Sequence, residues 1–108
     1  MKKLISILLL LTLIVITNSS PAQAADNAAK IFETNCAGCH INGGNIIRRG
    51  KNLKMNALKK NGMDSVEAIT DIVTNGKNNM SAYKDRLTSQ QIQEVATYVL
   101  QQAENNWK

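Results

Sequence analysis

The sequence predicts an all-α domain. Apolar residues recur at three- and four-residue spacing in several separate stretches, cap and stop residues bracket those stretches, and no stretch alternates as a strand would. About four short helices account for the chain from residue 25 onward.

The segment before residue 25 has a different job. Lys2 and Lys3 precede "LISILLLLTLIVI" (4–16), a run of 13 residues broken only by Ser6 and Thr12. "TNSSPAQA" follows and ends in the small-x-small pattern Ala22-Gln23-Ala24. Basic start, apolar centre and small-residue end make a secretory signal peptide over 1–24, with cleavage expected after Ala24. A retained anchor is the alternative, but a bilayer span takes about 20 apolar residues. No cysteine lies near the cut to carry a lipid, and a plastid transit peptide would be longer and rich in Ser and Arg. The signal is of the bacterial export type.

That leaves 25–108, a single domain of 84 residues. Removing Lys2 and Lys3 from the 13 basic residues leaves 11 against 8 acidic ones, a net charge of +3. This mild excess is too weak to argue for nucleic acid and favours acidic partners instead.

The first helix is expected in "NAAKIFETNC", capped by Asp26 or Asn27, with Ala28, Ile31, Phe32 and Cys36 on one face. Residues 37–50 read as loop, broken by Gly43, Gly44 and Gly50. "NLKMNALKKNG" reads as a short helix capped by Asn52 and stopped by Gly62. "DSVEAITDIVTNG" reads as another, capped by Asp64 or Ser65 and stopped by Gly76. After the polar loop "GKNNMSAYKDR", Thr88 and Gln91 form a capping box for a last helix. Its stripe is Ile92, Val95, Ala96, Val99 and Leu100. With one Phe, two Tyr and one Trp, this domain is short of large core residues, near the size where small exported domains need a disulfide or a bound group.

"CAGCH" names that group. Cys36 and Cys39 are the only cysteines and His40 the only histidine. A disulfide between them would close a very small loop and stabilise little. A thioredoxin-like pair belongs in a βα context, whereas a helix precedes this one. Structural zinc takes four ligands, and three are present. Cys-x-x-Cys-His remains, the attachment motif of c-type haem. Each thiol adds across one porphyrin vinyl group to make a thioether, and the next residue offers its imidazole to the iron. Both thiols are consumed, and haem supplies the missing apolar core.

The second axial ligand must be a methionine. Met55 falls within a helix near Leu53 and Leu58, where core packing explains it. Met63 follows Gly62 beside a helix cap and is the next choice as ligand. Met80 sits in a polar loop with no apolar stripe to justify it, 40 residues after His40. A gap-filling thioether is its bland reading. Ligation by His and Met closes both faces of the iron and raises its potential, which suits electron transfer. If Met80 is displaced, the open face suits a haem-based ligand sensor or a peroxidase-like protein instead.

Taken together, "AKIF", "NCAGCH", "GGN", "EAI", "VTNGKN" with Met80, "RLT", "QIQEVATYVL" and the aromatic end at Trp107 resemble the cytochrome c6 family of photosynthetic chains. The resemblance covers the whole domain in order. It implies a class I cytochrome c fold around one covalently bound haem c, six-coordinate, with Cys36 and Cys39 as attachments and His40 and Met80 as axial ligands. It implies that the first and last helices cross beside the haem, where Phe32 and Tyr98 are placed to pack. It also implies a monomeric carrier in the thylakoid lumen, without enzymatic activity, moving electrons from cytochrome f of the b6f complex to photosystem I. Arg86 matches an arginine the family uses at the photosystem I contact.

Two departures stand out. Ser81 replaces the proline of the usual "MPAF", and proline would hold Met80 extended. Ile72 replaces a glutamine common before "VTNG", and an aliphatic residue there is typical of c6-like paralogues with lower potential and other partners. The basic run Arg48, Arg49, Lys51, Lys54, Lys59 and Lys60 is a solvated face or a steering patch for acidic partners. Ile46 and Ile47 belong either to a rim around the haem edge or to the core.

Overall fold

The computed structural model describes residues 20–108. Most of the expected signal segment, 1–24, therefore lies outside the described residues. Its last residues begin the first helix. α1 (Pro21–Asn35) is capped by Ser20, whose Oγ accepts from the Gln23 N–H at 3.3 Å. Asp26 and Asn27 are thus interior, not caps. Proline at the first helical position carries a preset φ, and the alanines after it propagate the helix.

The segment expected as loop contains three tight turns. α2 (Ala37–His40) is a single helical turn, followed by 3-10 turns at Ile41–Gly43 and Arg49–Lys51. Such turns rest on local backbone bonds and leave no apolar periodicity to read. α3 (Met55–Lys60) is shorter than expected. Asn52 does not cap it, because its Oδ1 accepts from the Lys54 N–H at 3.0 Å and builds a side-chain turn before the helix.

α4 (Val66–Asn75) takes Ser65 as its cap, with Oγ accepting from the Ala68 N–H at 3.1 Å, and ends at Gly76 with φ 69°. α5 (Ser89–Glu104) carries the expected capping box. Thr88 Oγ1 accepts from the Gln91 N–H at 3.1 Å, and Gln91 Oε1 accepts from the Thr88 N–H at 2.9 Å. Among the described residues the one β pairing is an isolated bridge between Lys77 and Met80. No helix among them is long and apolar enough to cross a membrane.

α1 and α4 both pack on α5. The shared core is Phe32 from α1, Ile69 and Val73 from α4, and Ile92, Val95, Ala96 and Val99 from α5. Leu100 sits at its edge, partly buried. Phe32 and Tyr98 meet where α1 crosses α5, their ring centroids 5.6 Å apart. Trp107 joins them, 5.1 Å from Phe32 and edge-on to Tyr98 at 6.3 Å. Tilted and edge-on pairs of this kind add to plain area burial.

The indole also reaches the loop after His40. Trp107 Nε1 donates to the Leu53 carbonyl at 3.0 Å, and the Leu53 N–H donates to the Gly43 carbonyl at 2.7 Å. Gly43 has φ 77° and lies flat against the indole, where a Cβ would overlap the ring. The end of the chain thereby fixes the loop that leaves the cysteine motif.

Candidate haem site

α1 ends where the motif begins. The Cys36 N–H still bonds back to the Phe32 carbonyl at 2.8 Å, and then the chain starts a new turn. The Cys39 and His40 N–H groups both donate to the Cys36 carbonyl, at 3.2 and 2.9 Å. That turn sets the two thiols at helical i, i+3 spacing, on one side of the chain. Cys36 is half-buried and Cys39 exposed, and neither is in a disulfide.

Burial pushes the Cys36 thiol up to about 11. A redox-active pair needs the opposite, a lowered thiol pKa. Among the described residues no group of three His, Cys, Asp or Glu side chains is placed to hold a metal ion, as structural zinc would require.

His40 is oriented by its neighbour. Its Nδ1 lies 2.8 Å from the Gly44 carbonyl oxygen. A carbonyl only accepts, so Nδ1 carries the proton and Nε2 keeps its lone pair for a metal. A shallow polar groove of about 380 Å³ opens beside this turn, lined by Gly44, Asn45, Ile46, Arg49, Asn52 and Lys54.

Met80 is partly buried and packed against the central cluster. Of the three candidate methionines it is the one in that cluster's shell, which Met55 and Met63 do not join. Its loop is tightly built. Lys77 and Met80 exchange backbone bonds of 3.0 and 2.9 Å, and Gly76 lies against Met80 and Ala82 so closely that a Cβ would meet the Met80 carbonyl at 2.6 Å.

Tyr83, which sequence reasoning did not single out, joins this loop to the motif. Its hydroxyl donates to the Asn35 carbonyl at 2.9 Å, one residue before Cys36. The Arg86 guanidinium stacks on its ring at 4.4 Å. The "MSAY" departure carried a signal in its Tyr as well as in its Ser.

Ile46 and Ile47 are exposed, at 63% and 55%, as is Ile41 at 59%. They are exposed apolar side chains and not core. Arg48, Arg49, Lys51 and Lys54 stand exposed beside them, in a stretch (34–63) without one acidic residue. Ile72 packs against the central cluster.

Residues 23–99 match the family model described as cytochrome C oxidase, cbb3-type, subunit III. Matches over the whole length are more specific. The chain is 59% identical to "Cytochrome c6-like" of Nostoc sp. (strain PCC 7120), and 52% identical to "Cytochrome c6" of the same strain, with both chains fully covered in each case. The chain belongs to the cytochrome c6 family. Its fold matches the crystal structure of cytochrome c6C from Synechococcus sp. PCC 7002 with a TM-score of 0.72 at 64% identity, covering 74% of this chain and 98% of that one. This is the class I cytochrome c fold. Membership in the cytochrome c6 family implies a covalently attached haem c and an electron carrier, not an enzyme.

The residues present fit that group. Two free thiols share one turn, an imidazole keeps Nε2 available, and a thioether sits in the core shell. Among the described residues, three of the ten buried apolar side chains are alanines and only one is aromatic, a thin core that a large apolar cofactor would complete.

Proposed function

We propose that the chain is a soluble monohaem electron carrier of the thylakoid lumen, released by cleavage after Ala24. Cys36 and Cys39 hold the haem, and His40 and Met80 close its two faces. The single observation that carries this reading is the His40–Gly44 contact, which leaves Nε2 free directly after two cysteines on one turn.

When bound, the haem supplies a one-electron couple. The protein's own residues set its terms. His40 is held in one tautomer before and after electron transfer, so little needs to reorganise. Met80 favours the reduced state and shuts out small ligands. Arg49 and Lys54, on the groove beside Gly44, would offer cationic partners to the acidic side chains of a bound haem. The isoleucine rim with its basic neighbours suits brief docking on an acidic partner, where charge speeds encounter.

By family resemblance the donor is cytochrome f of the b6f complex and the acceptor photosystem I. A second reading has its own support: a c6-like paralogue of lower potential with other partners. Ile72 stands where the usual donors have glutamine, and identity to the c6-like Nostoc relative exceeds that to its c6 counterpart. A redox titration of the purified holoprotein separates the two. A midpoint close to cytochrome f supports the shuttle, and one far below it supports the paralogue.

A further inference from the structure

We propose that Tyr83 is a positioning residue for Met80, tying the methionine loop to the helix end that carries Cys36. The inference rests on Met80 being the second axial ligand. Three observations lead to it.

The loop lacks its usual stiffener. Ser81 follows Met80 where the family has proline, and serine leaves the backbone of Met80 free to leave the extended region. The Ser81 N–H takes no part in the loop's backbone hydrogen bonds, so the local hold on Met80 is its exchange with Lys77 on the side before it, and nothing local holds the side after it.

The restraint comes instead from Tyr83, three residues on. Its N–H donates to the Val73 carbonyl at 2.9 Å, its hydroxyl donates to the Asn35 carbonyl at 2.9 Å, and Arg86 covers its ring. One residue thus joins the methionine loop to α4 and to the end of α1. The phenylalanine of "MPAF" has no hydroxyl and could not make the bond to Asn35.

The acceptor also needs this partner. Asn35 is the last residue of α1, where carbonyls run out of helical donors. The Cys39 N–H, which would reach Asn35 if the helix continued, donates to Cys36 instead. Tyr83 satisfies that carbonyl one residue before the first haem attachment. A pull on the methionine loop is therefore a pull on the attachment turn, and the two ligand-bearing segments keep a fixed relation.

The test uses the purified holoprotein and the variants Tyr83→Phe and Tyr83→Phe/Ser81→Pro. Oxidised protein is heated while two signals are followed: the deep-red thioether-to-iron charge-transfer absorption, and far-ultraviolet helix circular dichroism. Carbon monoxide binding to the reduced protein is measured alongside. In Tyr83→Phe the deep-red band should vanish at a lower temperature than the helix signal. The carbon monoxide affinity should rise about five-fold, as expected for one hydrogen bond of ordinary net strength. Adding Ser81→Pro should restore both. If band and helix signal shift together and carbon monoxide binding is unchanged, Tyr83 is only structural and the proposal falls. If the wild-type protein lacks the band altogether, Met80 is not the ligand, and both this inference and the reading beneath it are overturned.

Discussion

The ring of His40 and the carbonyl of Gly44 stand 2.8 Å apart, and this contact determines which imidazole nitrogen keeps its lone pair. Because the carbonyl belongs to the backbone, the orientation is built into the turn after the motif. His40→Ala should therefore remove the low-spin absorption of the holoprotein, and added imidazole should restore it from solution. Unchanged low-spin spectra in the variant would show that another residue holds the iron.

Gly43 provides a second test of that loop. Its φ of 77° suits glycine, and its Cα lies against the Trp107 indole. Gly43→Ala adds a left-handed backbone cost and forces the ring to move, together about 2 kcal/mol or more. Urea unfolding of the holoprotein should show the midpoint falling at unchanged slope. An unmoved midpoint would mean that the indole is not packed there.

The α5 capping box gives a smaller, cleaner effect. Thr88→Ala removes the oxygen that accepts from Gln91 and should cost about 1 kcal/mol by the same urea measurement. Since Thr88 is exposed and not part of the core, the visible spectrum should not change.

Wherever local signals decide, the sequence was legible. The capping box at Thr88 and Gln91, the Ser65 cap and the Gly76 stop are short-range patterns, and each appears in the structure. The stripe from Ile92 to Val99 fell on the core for the same reason. The first helix starts ahead of the expected Asp26 or Asn27 cap, because serine before proline is itself a helix start. The side-chain turn at Asn52 competed with capping, and composition does not say which wins. At the site, the motif singles out the cysteines and the histidine, which the structure puts on one turn, and Met80 lies in the shell of the core. The Gly44 and Asn35 carbonyls and the grip of Trp107 on Leu53 were not legible. They join residues 54 and 48 positions apart, or involve backbone atoms that every residue carries.

Cofactor removal should expose how thin the core is. Among the described residues, the buried apolar set includes Ala28, Ala96 and Ala103, and a domain this small has little stability to spare. A Cys36→Ala/Cys39→Ala chain, unable to hold haem covalently, should lose most of its helix circular dichroism. A native-like spectrum would show that the helices pack without the cofactor.

The most direct test of the account is carbon monoxide added to the reduced holoprotein, with Met80→Ala as the comparison. A carrier closed on both faces by His40 and Met80 should bind the gas only weakly, at high pressure, in the wild type and readily once Met80 is removed. Ready binding by the wild-type protein would contradict the closed site, and would mark the chain as a haem protein that takes small ligands.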